Sequence, residues 1–109
     1  MIQHKDLASG RWNKMPLCEQ MANIGSEVNR ALNWRVKNNA EYSRSAFERA
    51  LELVDLTLGS ISGFSKLKEI ARLREAMVDY FFGTNQFNST DASWRKYFGH
   101  FNYAVRKNS

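Results

Sequence analysis

The chain has 109 residues, a formal net charge of +5, 43% hydrophobic residues and 25% charged ones. That length leaves room for one domain with an ordinary core and no more. With one Pro, six Gly and one Cys, the composition disfavours low-complexity disorder and most all-β designs, and it excludes an intramolecular disulfide and a cysteine-based metal cluster.

The opening segment, Met1 to Lys14, is polar and lacks the apolar run of a signal peptide, which points to a cytoplasmic protein. It carries Lys5, Arg11, Trp12 and Lys14 and reads as a short basic arm (1–14) ahead of a domain over 15–109. A first helix is expected from about Pro16 to Lys37. Leu17, Met21, Ile24, Val28, Ala31 and then Arg35 step by fours and threes along one stripe. Asn38-Asn39 breaks this pattern, because an Asn side chain competes for the backbone. A second helix follows from about Ala40 to Leu58. Phe47, Leu51, Val54 and Leu58 form one row, with Tyr42, Ala46, Ala50 and Leu53 beside it. The width of that stripe predicts the most buried of the helices.

Gly59 to Gly63 forms a short turn, so the second and third helices should be antiparallel neighbours. The third helix is expected over Phe64 to Phe82, with Phe64, Leu67, Ile70, Ala71, Met77, Val78 and Phe81 facing inward. Gly83-Thr84-Asn85 stops it. After the loop to Ser89, either Ser89 or Thr90 is placed to cap a fourth helix over Asp91 to about Lys107, with Trp94, Phe98, Phe101 and Val105 as its stripe. No apolar stretch approaches the roughly 20 residues of a membrane span. The expected fold is all-α, an antiparallel four-helix bundle with a short basic N-terminal arm.

The runs Glu19–Val28, Phe47–Leu53 and Trp94–Phe98 resemble a widespread set of small helical bacterial proteins. That likeness covers most of the chain and implies no activity. In size, charge and helix count the chain is also similar to the four-helix bundles called ribosomal intervening-sequence proteins and to accessory proteins of diversity-generating retroelements. Those bundles are basic and oligomeric and work beside nucleic acid, which is what the second likeness implies here.

Several constellations bear on chemistry. Arg95-Lys96-Tyr97-Phe98-Gly99-His100 has the Arg-x-x-x-x-His spacing of HEPN-type helical ribonucleases. In those enzymes the resemblance implies an Arg that stabilises phosphate charge and a His that works on the 2′-hydroxyl or the leaving group. Residues five apart point about 140° apart on a regular helix, so Arg95 and His100 converge only with help, such as a dimer interface. Glu48, Glu52 and Asp55, and Glu75 with Asp79, share helix faces. Neither His4 nor His100 supplies the Glu-x-x-His of a bundle di-metal site, so no metal and no cofactor is expected, and these acids are read as solvated or as partners of Arg44, Arg49 and Arg72. Cys18, near a helix start, is read as a packed small residue.

Cations interleaved with aromatics give the stronger pattern. Arg30, Trp34 and Lys37 lie on one face of the first helix. Lys96, His100, Tyr103 and Lys107 repeat the arrangement on the fourth. Stacking rings flanked by cations suit single-stranded nucleic acid, and equally an oligomer seam rimmed by Lys and Arg stems. The third helix carries Lys66, Lys68, Arg72 and Arg74 early and Glu75 and Asp79 late, against its own macrodipole. Either an anion at its start, joined by Ser62 and Ser65, or salt bridges to the acidic face of the second helix would relieve that order. Trp12, Trp34, Phe87 and Tyr103 exceed what one small bundle readily encloses, which predicts a homo-oligomer. The favoured reading is a non-catalytic interaction module that contacts RNA or another single-stranded nucleic acid through Arg30, Trp34, Lys37, Lys66, Lys68, Lys96, Tyr103 and Lys107. The alternatives are a HEPN-like ribonuclease using Arg95 and His100, and a protein-binding adaptor.

Overall fold

Apolar side chains recurring every three to four residues can be shielded only if their helices turn those stripes toward one another. In the computed structural model, which describes residues 10–107, four α-helices do so and no strand occurs among the described residues. They are α1 (Leu17–Val36), α2 (Ala40–Ser60), α3 (Phe64–Phe82) and α4 (Asp91–Lys107), preceded by a 3-10 turn at Trp12–Lys14. No helix of the described residues is long and apolar enough to cross a membrane.

Local chemistry sets the ends of these helices. Pro16 stands just before α1, where its missing N–H is no loss, and its carbonyl accepts from the Gln20 amide. The α1–α2 turn takes three residues, Lys37 to Asn39: Asn38 adopts φ 60° and the Asn39 side chain accepts from the Tyr42 amide at 3.0 Å. α2 continues through Gly59 to Ser60, two residues further than the glycine suggested. Its last turn is held by the Thr57 carbonyl, which accepts from the Ile61 amide at 3.0 Å and from Ser60 Oγ at 3.1 Å. At the end of α3, Gly83 is extended rather than left-handed. The Asp79 carboxylate instead collects the Gln86 and Phe87 amides at 2.9 and 3.1 Å. Thr90 caps α4 in a reciprocal box with Ser93, each backbone amide donating to the other's hydroxyl at 2.9–3.0 Å.

α1 lies between α2 and α4, and α2 carries α3 on its other side. The core is built from Met21, Ile24, Val28 and Leu32 of α1, Phe47, Ala50 and Val54 of α2, Ile70 and Met77 of α3, and Phe98 of α4. α1 and α4 approach so closely at Gly25 that a β-carbon there would meet Phe98 Cβ at 2.7 Å. Charged pairs tie the outside: Arg49 to Glu27 at 3.0 Å between α2 and α1, and Arg74 to Asp55 at 2.7 Å between α3 and α2.

Three sequence expectations need correction. Trp12, assigned to a polar arm and to the surplus of aromatics, is 1% exposed and sits in the core. Its indole N–H donates to Thr57 Oγ1 at 3.0 Å while its carbonyl accepts from Gln20 Nε2 at 2.8 Å, so the packed unit begins before Met15. The rest of the expected arm, residues 1–9 with Lys5, lies outside the described residues, as do 108–109. Phe64 and Leu67, expected inward on α3, are 79% and 42% exposed, and Ala71 is exposed too. The buried row of α3 is Ile70, Leu73 and Met77. Helical geometry turns the Phe64–Leu67–Ala71 row roughly 100° from it. Tyr42, placed beside the core row, lies on the surface.

Candidate nucleic-acid interface

The three-residue reversal from Lys37 to Asn39 brings the last turn of α1 beside the first turn of α2. Trp34 and Tyr42 therefore meet edge to face, centroids 4.9 Å apart, and Lys37 Nζ lies 5.2 Å from the centre of the Trp34 ring. Trp34 is half-buried and its ring already shares contacts with a cation and a second aromatic. Arg30, one turn earlier, is held at 3.3 Å by Glu27, which also takes Arg49. The two cations that flank Trp34 in the sequence thus differ: Lys37 joins the ring and Arg30 is tied back to a carboxylate.

Beside this corner, Arg35, Asn38, Arg44, Phe47, Phe81 and Phe82 line a cleft of about 420 Å³, with Ala40 and Ser43 completing it. Ser43 Oγ donates to the Ala31 carbonyl at 2.7 Å and so holds α2 against α1. Phe81 stacks on buried Phe47 at 4.2 Å, and Phe82 meets the same ring edge-on at 5.0 Å. Arg35 Cζ lies 5.1 Å from the Tyr80 ring centre and 5.7 Å from that of Phe81, and Arg44 Cζ lies 5.6 Å from Phe82. Arg44 gives its Nε to Glu48 at 3.1 Å. Arg35 has ring contacts but neither a hydrogen-bond acceptor nor a carboxylate partner among the described residues. Behind it, Tyr80 donates a short hydrogen bond to Asp91, and burial first, then that bond, raises the Tyr80 phenol above its ordinary range.

The other sequence-derived site residues are dispersed. Lys66 and Lys68 are exposed at the start of α3, which follows Gly63 at φ 101° and has no side-chain cap. Of the α3 cations, Arg74 finds the acidic face of α2, through Asp55 rather than through the expected Arg72 pairing; Arg49 of α2 pairs with Glu27 of α1. Lys96, His100, Tyr103 and Lys107 form one exposed row on α4. Arg95 donates to Asn33 Oδ1 at 2.9 Å and to Asn29 Oδ1 at 3.5 Å, tying α4 to α1. His100 makes no hydrogen bond or ion pair among the described residues. Cys18 packs partly buried, its thiol 3.6 Å from the Phe101 carbonyl. No group of three or more His, Cys, Asp or Glu that would hold a metal occurs among the described residues.

Sequence reasoning missed the arginine cleft, although one signal was there. Arg35 continues the Leu17–Ala31 core stripe, and a cation at a core register position marks a place where the core opens. No family model, curated protein or solved structure matches the chain.

Proposed function

We propose that this chain is a non-catalytic RNA-binding module that acts in the cytoplasm as a homo-oligomer, built as an antiparallel four-helix bundle. Helix pairing supports the topology: Ala31, Glu27 and Gln20 of α1 meet Ser43, Arg49 and Ser60 of α2 in descending order. One observation carries the nucleic-acid reading. At a single end of the molecule Trp34, Lys37 and Tyr42 adjoin a cleft with two arginines and an exposed phenylalanine. Single strands need cations for phosphates and ring faces for bases, and this corner supplies both. Lys66, Lys68, Lys96 and Lys107, dispersed over the rest of the surface, add weaker phosphate contacts, and Tyr103 adds a further exposed ring. Oligomerisation is supported by the unpartnered Phe64–Leu67 row of α3 in a chain too small to bury much of its surface.

Titration of fluorescent oligouridine at several salt concentrations tests the function. Counterion release makes log K fall linearly with log salt, and Lys37→Gln reduces the slope by about one unit. Trp34→Ala weakens single strands more than duplexes at nearly constant slope, since stacking is worth roughly 1–3 kcal/mol per base. Oligouridine binding without salt dependence, or its absence at low salt, overturns the reading. A protein whose Trp34→Ala variant loses its fold while the remaining folded fraction binds normally assigns Trp34 to packing instead.

A further inference from the structure

We infer that the cleft between the α1–α2 turn and the end of α3 is a nucleotide pocket that takes one phosphate between Arg35 and Arg44 and one base against Phe82. This rests on the RNA reading above and specifies where a single nucleotide unit of the strand is gripped. The volume, about 420 Å³, falls within the range of ligand sites, which are mostly apolar with a few convergent polar groups. Its apolar floor is Phe47 and Phe81, stacked on one another at 4.2 Å and fixed by the core. Phe82 is 52% exposed although Phe47 meets it edge-on and Arg44 lies near its ring, so part of the ring is open to a flat partner.

The charges point the same way. Arg35 and Arg44 both line the cleft, and no carboxylate does. The Arg35 guanidinium offers planar, forked donors with no acceptor among the described residues, the arrangement suited to bidentate phosphate recognition. Arg44 is engaged through Nε alone, so its terminal amino groups remain to be shared with an anion. The first turn of α2 starts at the rim with Ala40, adding the positive end of a helix to the two arginines. A guanidinium over Phe82 at 5.6 Å marks where a base would share the ring face with Arg44. An inorganic anion leaves the rings unused, and an uncharged ring leaves the arginines unused.

Isothermal titration of the full chain with AMP, adenosine, inorganic phosphate and phenyl phosphate tests the assignment. AMP is expected to bind at least tenfold more tightly than each of the other three. Arg35→Gln and Phe82→Ala, the latter at an exposed ring, are each expected to weaken AMP at least tenfold with the melting transition retained. If Arg35→Gln melts the protein, Arg44→Gln serves in its place. Adenosine equal to AMP removes the arginines from the site, phosphate equal to AMP removes the stacking ring, and phenyl phosphate equal to AMP makes it a pocket for any aromatic phosphate, including a phosphotyrosine peptide. Each of those results overturns the inference. Salt-dependent oligouridine binding without AMP binding overturns the pocket and leaves the RNA module standing. AMP binding without oligouridine binding does the opposite.

Discussion

At Gly25 the α1 backbone lies against the side of Phe98, with no room for even a methyl group. Gly25→Ala must push Phe98, itself fully buried, or spread the two helices, and overpacking of that kind costs about 1–3 kcal/mol. Chemical denaturation is expected to show the loss as a lower midpoint at constant slope; an unchanged midpoint would mean that α4 yields freely. Tyr97 governs a different condition. Burial first, and Glu69 second, push its phenol up to about 12 from an ordinary 10.0. The folded state therefore keeps the proton that the unfolded chain releases. The contribution of Tyr97 to stability is flat below pH 10, then falls as pH rises toward 12. Tyr80 is shifted in the same sense. Thermal melts of Tyr97→Phe across that window should show a shallower alkaline decline than the parent, and identical declines would remove Tyr97 as its source. Trp12 was not legible at this scale, and of Arg35 only its place on the core stripe was, not its partners. A lone Trp among polar residues looks like an arm until Thr57, 45 residues away, provides the acceptor for its N–H. A guanidinium over two rings depends on a helix that the local window does not contain.

Element limits were far easier to read, because each is written in adjacent residues. α3 and α4 start and end where their punctuation places them, and of the two caps offered for α4, Ser89 and Thr90, the helix uses Thr90. What periodicity does not set is the orientation of α3 about its axis. It carries two apolar rows, Phe64–Leu67–Ala71 and Ile70–Leu73–Met77, and only tertiary packing decides that the second is buried. The connection after α3 is held by two side chains, Asp79 and Asn85. Asp79 takes the Gln86 and Phe87 amides while Asn85 and Ser89 exchange two bonds, from Asn85 Nδ2 to the Ser89 carbonyl and from the Ser89 amide to Asn85 Oδ1. The two bonds to Asp79 are exposed, whereas those between Asn85 and Ser89 are part-buried, so water replaces part of what is lost when the Asp79 carboxylate is removed. Asp79→Ala is expected to cost about 1 kcal/mol and, more tellingly, to speed amide exchange at Gln86 and Phe87 while core amides of α1 keep their protection. Uniform acceleration throughout the chain would show that the loop unfolds only with the whole protein.

For the molecule as a whole, the distribution of burial matters more than its total. α1 and α2 each bury residues along their full length, whereas α3 buries only Ile70, Leu73 and Met77 and α4 only Trp94 and Phe98. Between the latter two lies a second cleft, of about 410 Å³, that includes exposed Phe87 and buried Trp94, whose indole N–H has no acceptor among the described residues. The thinly covered α3–α4 side is thus the side on which a second copy would remove the most apolar surface from water, and Phe64 and Leu67 continue it toward the start of α3. The basic corner is made by the α1–α2 turn and the last turn of α3, so association through Phe64 and Leu67 at the start of α3 leaves it open to a strand. Light scattering at on the order of tens of micromolar is expected to give an assembly larger than one chain, because association is concentration-dependent by mass action. Phe64→Ser combined with Leu67→Ser should shift the protein to monomer. Both side chains are largely exposed, so the monomer should keep its helical circular dichroism, and its affinity for oligouridine should fall only by the avidity lost with the second copy. A wild-type chain that stays monomeric at those concentrations would refute the assembly. An assembly untouched by the double substitution would place its seam elsewhere than on α3.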